Sequence, residues 1–335
     1  MPIAAAVTWL PTERAAVKEA VAAGHVGRAD AERNAFAELP VSRHLHAPEM
    51  AAEAAAAALD AAGWPAATLG LVLHAWTHHQ GHDFWSPAHF IARRIRARAA
   101  VPIGIQQMCN GGAVALELAA AFLQGDPATQ RALVTTADRF SEPTFDRWSG
   151  DYGIAYGDGA TAVLLGGEDA RTAGGLELVA IATVADAELE AMHRGDEPFD
   201  QAPRGLAPLN IRRRKRAFVA ANGRDRFTEA AAYGARQAVE RALGDADVAA
   251  RDVACVALPR VGLSILETAY APALAVLEGA VAMSFAGRTG HLGAGDLAAN
   301  LADIITERRL APGALAAILG AGGGFTWTCA IVRAT

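Results

Sequence analysis

Val101-Pro102-Ile103-Gly104-Ile105-Gln106-Gln107-Met108-Cys109-Asn110-Gly111-Gly112-Ala113-Val114-Ala115-Leu116 runs from an apolar segment, through glycines, into apolar residues at helical spacing. Val101 to Gln106 reads as a buried strand. Gly111 to Leu123, stopping at Gly125, reads as a helix. The neighbouring segments alternate in the same way. Ala47 to Gly63 is rich in alanine, the best helix former, and closes on a glycine. Leu69 to Leu73, Ala132 to Ala137 and Ala160 to Leu165 are short apolar runs of strand length. The first half is therefore α/β.

The second half replays this order. Phe227 to Leu243 reads as a helix, Asp252 to Leu258 as a buried strand, and Ser264 to Leu277 as a second helix. Asp296 to Arg309 is helical in pattern, and Ala314 to Leu319 and Cys329 to Val332 are strand-like. A helix–strand–loop–helix order thus occurs near 47–90 and again near 227–278, which implies two duplicated halves, 1–170 and 171–335. Between them, Ala185 to Asn222 is polar and irregular. It carries Arg212-Arg213-Arg214-Lys215-Arg216, a solvated face or a dock for phosphate or an acidic protein.

Composition narrows the function classes. At about 150 residues per domain, 335 residues suit two domains or two halves of one body. Charged residues make up only 20% against 52% hydrophobic, so a disordered chain is a poor reading. The net charge of −6 argues against nucleic acid as the main partner. No apolar run is long enough to predict a membrane span, and Met1 to Pro11 lacks the basic segment of a secretory signal. Cys109, Cys255 and Cys329 are odd in number and widely spread, which predicts free thiols and a cytoplasmic setting. His74, His78, His79, His82 and His89 are irregularly spaced and joined by no cysteine, so no metal site is expected.

Three segments carry chemistry. Cys109 lies where a strand gives way to a helix, and the positive helix end favours a thiolate nucleophile. Gly320-Ala321-Gly322-Gly323-Gly324-Phe325-Thr326-Trp327 holds more glycine than packing needs, and such backbone can aim N–H groups at a ligand. Neither this segment nor Tyr156-Gly157-Asp158-Gly159-Ala160 has the layout of a nucleotide loop. In Gly290-His291-Leu292-Gly293-Ala294-Gly295-Asp296 the aspartate is either a helix cap or the carboxylate that orients His291 as a base.

Together these segments resemble ketoacyl-ACP synthase III of the thiolase superfamily, from about residue 47 to the end, most specifically in the last sixteen residues. The resemblance implies a thiolase-like fold, two duplicated α/β halves forming a layered αβαβα body. It makes Cys109 the acyl acceptor and the backbone N–H groups of Cys109 and Gly323 the oxyanion hole. It also implies a homodimer in which Phe84 or Trp85 reaches the partner subunit's acyl pocket. The acyl donor is a thioester on the phosphopantetheine of a carrier protein or of coenzyme A, with no further cofactor.

The chain departs from that family where condensation happens. The histidine of the decarboxylating pair, expected after the second buried strand in a Pro-His-Gln-Ala-Asn motif, falls on Pro259, which has no donor. The asparagine of the pair falls on His291. Losing one oxyanion donor costs about 100- to 1000-fold. Cys109, His291 and Asp296 instead resemble the Cys (or Ser)–His–Asp set of the synthase III-like acyltransferases of antibiotic pathways. The function this implies is acyl transfer, in secondary metabolism such as polyketide assembly, to a hydroxyl, amine or thiol of a small-molecule acceptor. The alternatives are a decarboxylating ketoacyl synthase III, a thioesterase, and an inactive scaffold. Arg212, Arg214 and Arg260 are the expected contacts for an acidic carrier protein.

Overall fold

In the computed structural model, which describes every residue except 127, 168–174 and 204, ten strands form one sheet. They are β1 Pro2–Trp9, β2 Leu71–Ala75, β3 Val101–Ile105, β4 Arg131–Asp138, β5 Gly159–Gly166, β6 Leu176–Ala185, β7 Val253–Ala257, β8 Val281–Met283, β9 Leu315–Gly322 and β10 Thr326–Ala334. Their lateral order is β8-β7-β9-β10-β6-β1-β5-β4-β2-β3. From either edge the chain-order pattern is the same: third, second, fourth, fifth, first. The fold is thus two copies of one five-stranded unit, joined where Pro2 and Ile3 pair antiparallel with Glu177 and Leu176. The boundary expected at 170/171 lies outside the described residues; the two strand sets are separated by the stretch between Gly166 and Leu176.

Four helices complete the layers: α1 Ala47–Ala62, α2 Gly111–Gly125, α3 Asp225–Ala246 and α4 Asp296–Thr306. Alanine lets α1 lie close on the sheet: Ala51, Ala54, Ala55 and Ala58 are fully buried in one core with Val72, Leu133 and Leu164. Pro48 opens that helix, and Gly63, at φ +63°, closes it. On the other unit α3 does the same through Ala235, Ala238 and Val239 against Val256, Leu319 and Ile331. The third core lies between the two units. There α2, through Ala113 and Leu116, and α4, through Leu297 and Leu301, pack against residues of both strand sets. Helix, one five-stranded half of the sheet, helix pair, the other half, helix is the αβαβα arrangement of the thiolase fold.

Four sequence readings need correction. The strand expected to be buried over Val101 to Gln106 is the edge strand β3, with Val101 and Ile103 exposed. The strands β1 and β6, which join the two units, carry no turn signals and weak alternation, and sequence inspection passes over both. The stretch 185–222 is not irregular throughout: its basic run lies in a helix, Ile211–Asn222, capped by the Asn210 side chain on the Arg213 N–H. The helix expected over Ser264–Leu277 is broken into an α turn at Leu263–Ile265, a π segment at Leu266–Tyr270 and an α segment at Ala271–Val276.

Candidate active site

Cys109 sits in a single 3₁₀ turn, Met108–Asn110, between β3 and the first residue of α2. Met108, immediately before it, is held at φ +48°, a left-handed conformation that a side-chain-bearing residue rarely adopts. Asn110 locks the turn to the last strand by donating through Nδ2 to Thr326 Oγ1 at 3.0 Å and Thr328 Oγ1 at 2.8 Å. The glycine-rich segment closes over the same turn: a Cβ on Gly322 would stand 3.0 Å from the Cys109 nitrogen. Cys255 and Cys329 are buried elsewhere, and burial pushes their thiols up to about 11 and about 12. All three cysteines are free, and Cys109 alone of them lines the large cavity, of about 780 Å³.

The second unit delivers His291 and Asp296 to that cavity's wall. His291 Nδ1 donates to Asp296 Oδ2 at 2.6 Å. The same carboxylate accepts the Leu292 N–H at 2.9 Å and the Arg260 N–H at 2.8 Å. Asp296 is the first residue of α4, and the capping position belongs to Gly295, which makes no side-chain cap. Between the cap reading and the histidine-partner reading, the geometry selects the histidine partner. His291 Nε2 is left with no hydrogen-bond partner among the described residues, and the imidazole lines the cavity together with Cys109.

Burial alone would lower the His291 pKa. The Asp296 carboxylate and Cys109 outweigh it and hold His291 well above the ordinary imidazole value. Burial likewise pushes Asp296 upward, but His291 and Arg260 prevail and keep it below the usual carboxylate range. The resting pair is therefore imidazolium and carboxylate.

The loop carrying this pair is fixed from below. Asp138 is fully buried at the end of β4, and its carboxyl accepts the N–H groups of Thr77, His78 and Ala294. Burial pushes Asp138 up to about 7 against the pull of those three donors. Gly293 is at φ +60°, and a Cβ there would come within 2.0 Å of Asp138 Oδ2. Gly112, three residues beyond Cys109, has the Ala294 carbonyl 2.4 Å from where its Cβ would be. The glycines on either side of the site thus let the Cys109 turn and the His291 loop touch backbone to backbone. The turn at 156–159 braces the same loop, since the Gly157 N–H donates to the His291 carbonyl at 3.0 Å. Asp158 is structural: it binds the N–H groups of Ser42 and Phe140 and the Arg147 guanidinium.

Of the expected site residues, Cys109, His291 and Gly323 line one cavity, and Asp296 stands directly behind His291. Pro259 is on the wall as well, where it offers no side-chain donor. The carrier contacts fare differently. Arg260 is 1% exposed, its side chain spent on Asn300, Thr289 and Asp303, so it is no surface contact. Arg212 turns inward to the Asp151 carbonyl, and Arg214 pairs with Glu197 at 2.8 Å and caps the His193 carbonyl. Phe84 is fully exposed and Trp85 partly so, and neither lines the cavity of this chain. His74 is a core residue between Thr135 and Gln80, its pKa lowered by burial to about 4. No cluster of metal-binding side chains forms among the described residues.

Residues 103–184 match the family profile for 3-oxoacyl-[acyl-carrier-protein] synthase III, and residues 243–334 match that for its C-terminal part. A beta-ketoacyl-[acyl-carrier-protein] synthase III of Roseiflexus sp. (strain RS-1) is 30% identical over 280 residues, 83% of this chain and 81% of the relative. The chain belongs to the ketoacyl-ACP synthase III family. It is thus an enzyme of the thiolase superfamily, whose members transfer or condense acyl groups. Among solved structures it is similar to ChlB3, described as an acyltransferase, with TM-score 0.87 and 35% identity over 99% of this chain and 97% of that one. The synthase III of Aquifex aeolicus VF5 shares the fold at TM-score 0.79 and 21% identity, over 99% of each chain.

Proposed function

We propose that this synthase III family member moves an acyl group from a carrier-protein or coenzyme A thioester, through acyl-Cys109, to a hydroxyl, amine or thiol acceptor, and does not condense by decarboxylation. One observation carries the reading: His291, which the resemblance sets at the position of the condensing asparagine, has its Nδ1 on Asp296 at 2.6 Å, and Pro259 on the same cavity wall offers no side-chain donor. A neutral donor pair that steadies an enolate has been replaced by an acid–base dyad.

The cycle follows from the resting charges. Cys109 Sγ attacks the thioester carbonyl, and the oxyanion is held by the N–H groups of Cys109 and Gly323. As the tetrahedral adduct collapses, the donor's sulfur departs and takes the proton from His291 Nε2. Acylation takes away the ionisable sulfur, so one of the influences that raised the His291 pKa is gone. The now neutral Nε2 accepts the acceptor's proton while the acceptor's heteroatom attacks the acyl carbon. Sγ leaves as thiolate beside the imidazolium, restoring the starting pair. Asp296 fixes the tautomer throughout.

The phosphopantetheine arm belongs to the donor, and no other group is required by these steps. A symmetric homodimer, with Phe84 or Trp85 reaching the partner subunit's pocket, fits the exposure of Phe84 at φ +52°. A tailoring role in secondary metabolism fits a chain that lacks the condensing donors. The test is intact-mass detection of acyl-Cys109 with a panel of acyl donors, followed by an acceptor panel. A malonyl carrier plus primer yielding CO2 and a β-ketoacyl product at ordinary condensing turnover would overturn the reading.

A further inference from the structure

The cavity has a second polar wall that the cycle above does not use. Asp151, 1% exposed, takes Lys215 Nζ at 2.6 Å on Oδ1 and the Tyr156 hydroxyl at 3.2 Å on Oδ2. Lys215 comes from the helix Ile211–Asn222, sixty-four residues away in sequence. His193 completes the wall: its ring lies 5.3 Å from that of Phe325 and directly over Gly323, whose Cβ would stand 2.7 Å from His193 Nδ1. That Nδ1 is buried and has no hydrogen-bond partner among the described residues. Asp151, Tyr156, His193 and Lys215 line the same cavity as Cys109 and His291, and Tyr156 also faces His291, ring centres 5.2 Å apart.

Stability does not explain this wall. A buried ion pair is on average no better than well-packed apolar side chains, and an unpartnered buried nitrogen is a net cost. The rest of the lining is largely apolar, including Met192, Val219, Phe227, Ile265 and Trp327. We infer that Asp151, Lys215, Tyr156 and His193 form a subsite for a hydroxyl carried on an otherwise apolar ligand, beyond the reacting carbonyl or the attacking heteroatom. The assignment rests on the acyl-transfer reading for where the ligand reacts, but not for whether it binds.

Charge decides for a hydroxyl over a carboxylate. Lys215 is neutralised by Asp151 at contact distance, and burial, with help from Lys215, lowers His193 to about 4, so it is neutral near pH 7. The wall therefore has no net positive charge for an anion, and a carboxylate would meet Asp151. A hydroxyl can accept from a remaining Lys215 proton and use its own proton, or its oxygen, on His193 Nδ1. The other cationic side chains of the lining, Arg216 and Arg224, are exposed, and Arg216 donates to the Tyr152 hydroxyl at 3.0 Å.

The test uses hexanoyl-coenzyme A against its 3-, 4-, 5- and 6-hydroxy derivatives as the acyl arm, and 1-hexanol against 1,3-, 1,4-, 1,5- and 1,6-hexanediol as the acceptor arm. Equilibrium binding is measured calorimetrically to Cys109→Ala, which reads the subsite whether or not Cys109 is the nucleophile. At least one hydroxylated probe is expected to bind about tenfold more tightly than its parent, the worth of one or two well-made hydrogen bonds. The arm in which the preference appears identifies the source of the hydroxyl. His193→Phe, which keeps the stacking on Phe325, should reduce that ratio to near one. The paired change Asp151→Asn with Lys215→Met, which leaves no lone buried charge, should do the same. The ratio is the readout because a disordered variant would lose both affinities together. If no hydroxylated probe in either arm is preferred, or if the preference survives both variants, the subsite is not there. Failure of Cys109 to accept any acyl group would overturn the transfer reading while leaving this result standing.

Discussion

The two units share one strand order and place their central helices alike, yet they put opposite chemistry at the corresponding helix starts. In the first unit the proposed nucleophile, Cys109, stands two residues before α2, in a turn that lines the cavity. In the second unit the start of α4 is Asp296, 3% exposed and held from the cavity by His291. In the proposed cycle both act as anions, and both sit near the positive end of a helix. What differs is access. The first unit keeps its anion where a substrate can reach it, whereas the second buries its anion behind an imidazole that can carry a proton in and out. The duplicated fold thus supplies two corresponding helix starts, and in the proposed cycle exposure separates the nucleophile from the base-orienting group.

Removing each member of this set tests the division of labour. Cys109→Ala should abolish the acyl adduct and reduce transfer by on the order of 10⁴-fold or more, checked by intact mass and turnover together. A stable adduct formed on another residue of that variant would reassign the nucleophile. His291→Ala should reduce transfer by about 10³-fold while leaving Cys109 open to slow acylation, so that acyl-enzyme accumulates. Rapid-quench mass analysis reads this directly. If acceptor is consumed at the normal rate, the base lies outside the second unit.

Asp296→Asn should be milder, a loss of roughly 100-fold in transfer, and it should also move the pH profile. The sign is fixed by the cause. The Asp296 carboxylate raises the His291 pKa, so without that charge His291 loses its proton at lower pH. Transfer needs neutral His291, so the acid limb of the transfer rate should shift to lower pH even as the plateau falls. An unshifted limb with reduced thermal stability would make Asp296 a structural residue.

Those three residues were legible in the sequence because each is decided locally. Cys109 stands between a strand pattern and a helix pattern, and His291 and Asp296 share one seven-residue segment with three glycines. What escaped is long-range. Nothing near Arg260 says that its side chain will be enclosed by Thr289, Asn300 and Asp303, and nothing near Asp151 announces Lys215. A run of five basic residues looks solvated until the carboxylates that face it are brought in from elsewhere in the chain. The strands β1 and β6 were missed for a related reason: their partners come from both units, so neither has a local pattern of its own.

The loop beneath the second anion offers a structural test. Gly293→Ala must hold a side chain at φ +60° and within 2.0 Å of Asp138 Oδ2. A loss of about 2 to 3 kcal/mol in unfolding free energy is expected, measured by denaturant titration. A change under about 0.5 kcal/mol would mean that the Asp138 brace is loose and that His291 is positioned by Asp296 and the 155–157 backbone.

The smallest effect is expected where the sequence suggested the largest surface role. Arg212 and Arg214 were natural candidates for holding an acidic carrier protein, but Arg212 lies on the Asp151 carbonyl and Arg214 is only 14% exposed against Glu197. Reversing Arg214 to Glu sets two carboxylates against each other, and reversing Arg212 removes a donor from the segment that holds Asp151. Both changes act on the fold of the cavity wall, which every acyl donor meets alike. The ratio of kcat/KM for a carrier-bound thioester to that for a short thioester mimic should therefore move by no more than about twofold in Arg212→Glu and Arg214→Glu, even if both values fall. Long-range attraction to an acidic partner would instead lower the carrier value alone, and more steeply at low salt. A selective tenfold loss with the carrier would restore these two arginines as docking residues. It would also mean that the helix Ile211–Asn222 releases them from their internal partners when the carrier arrives.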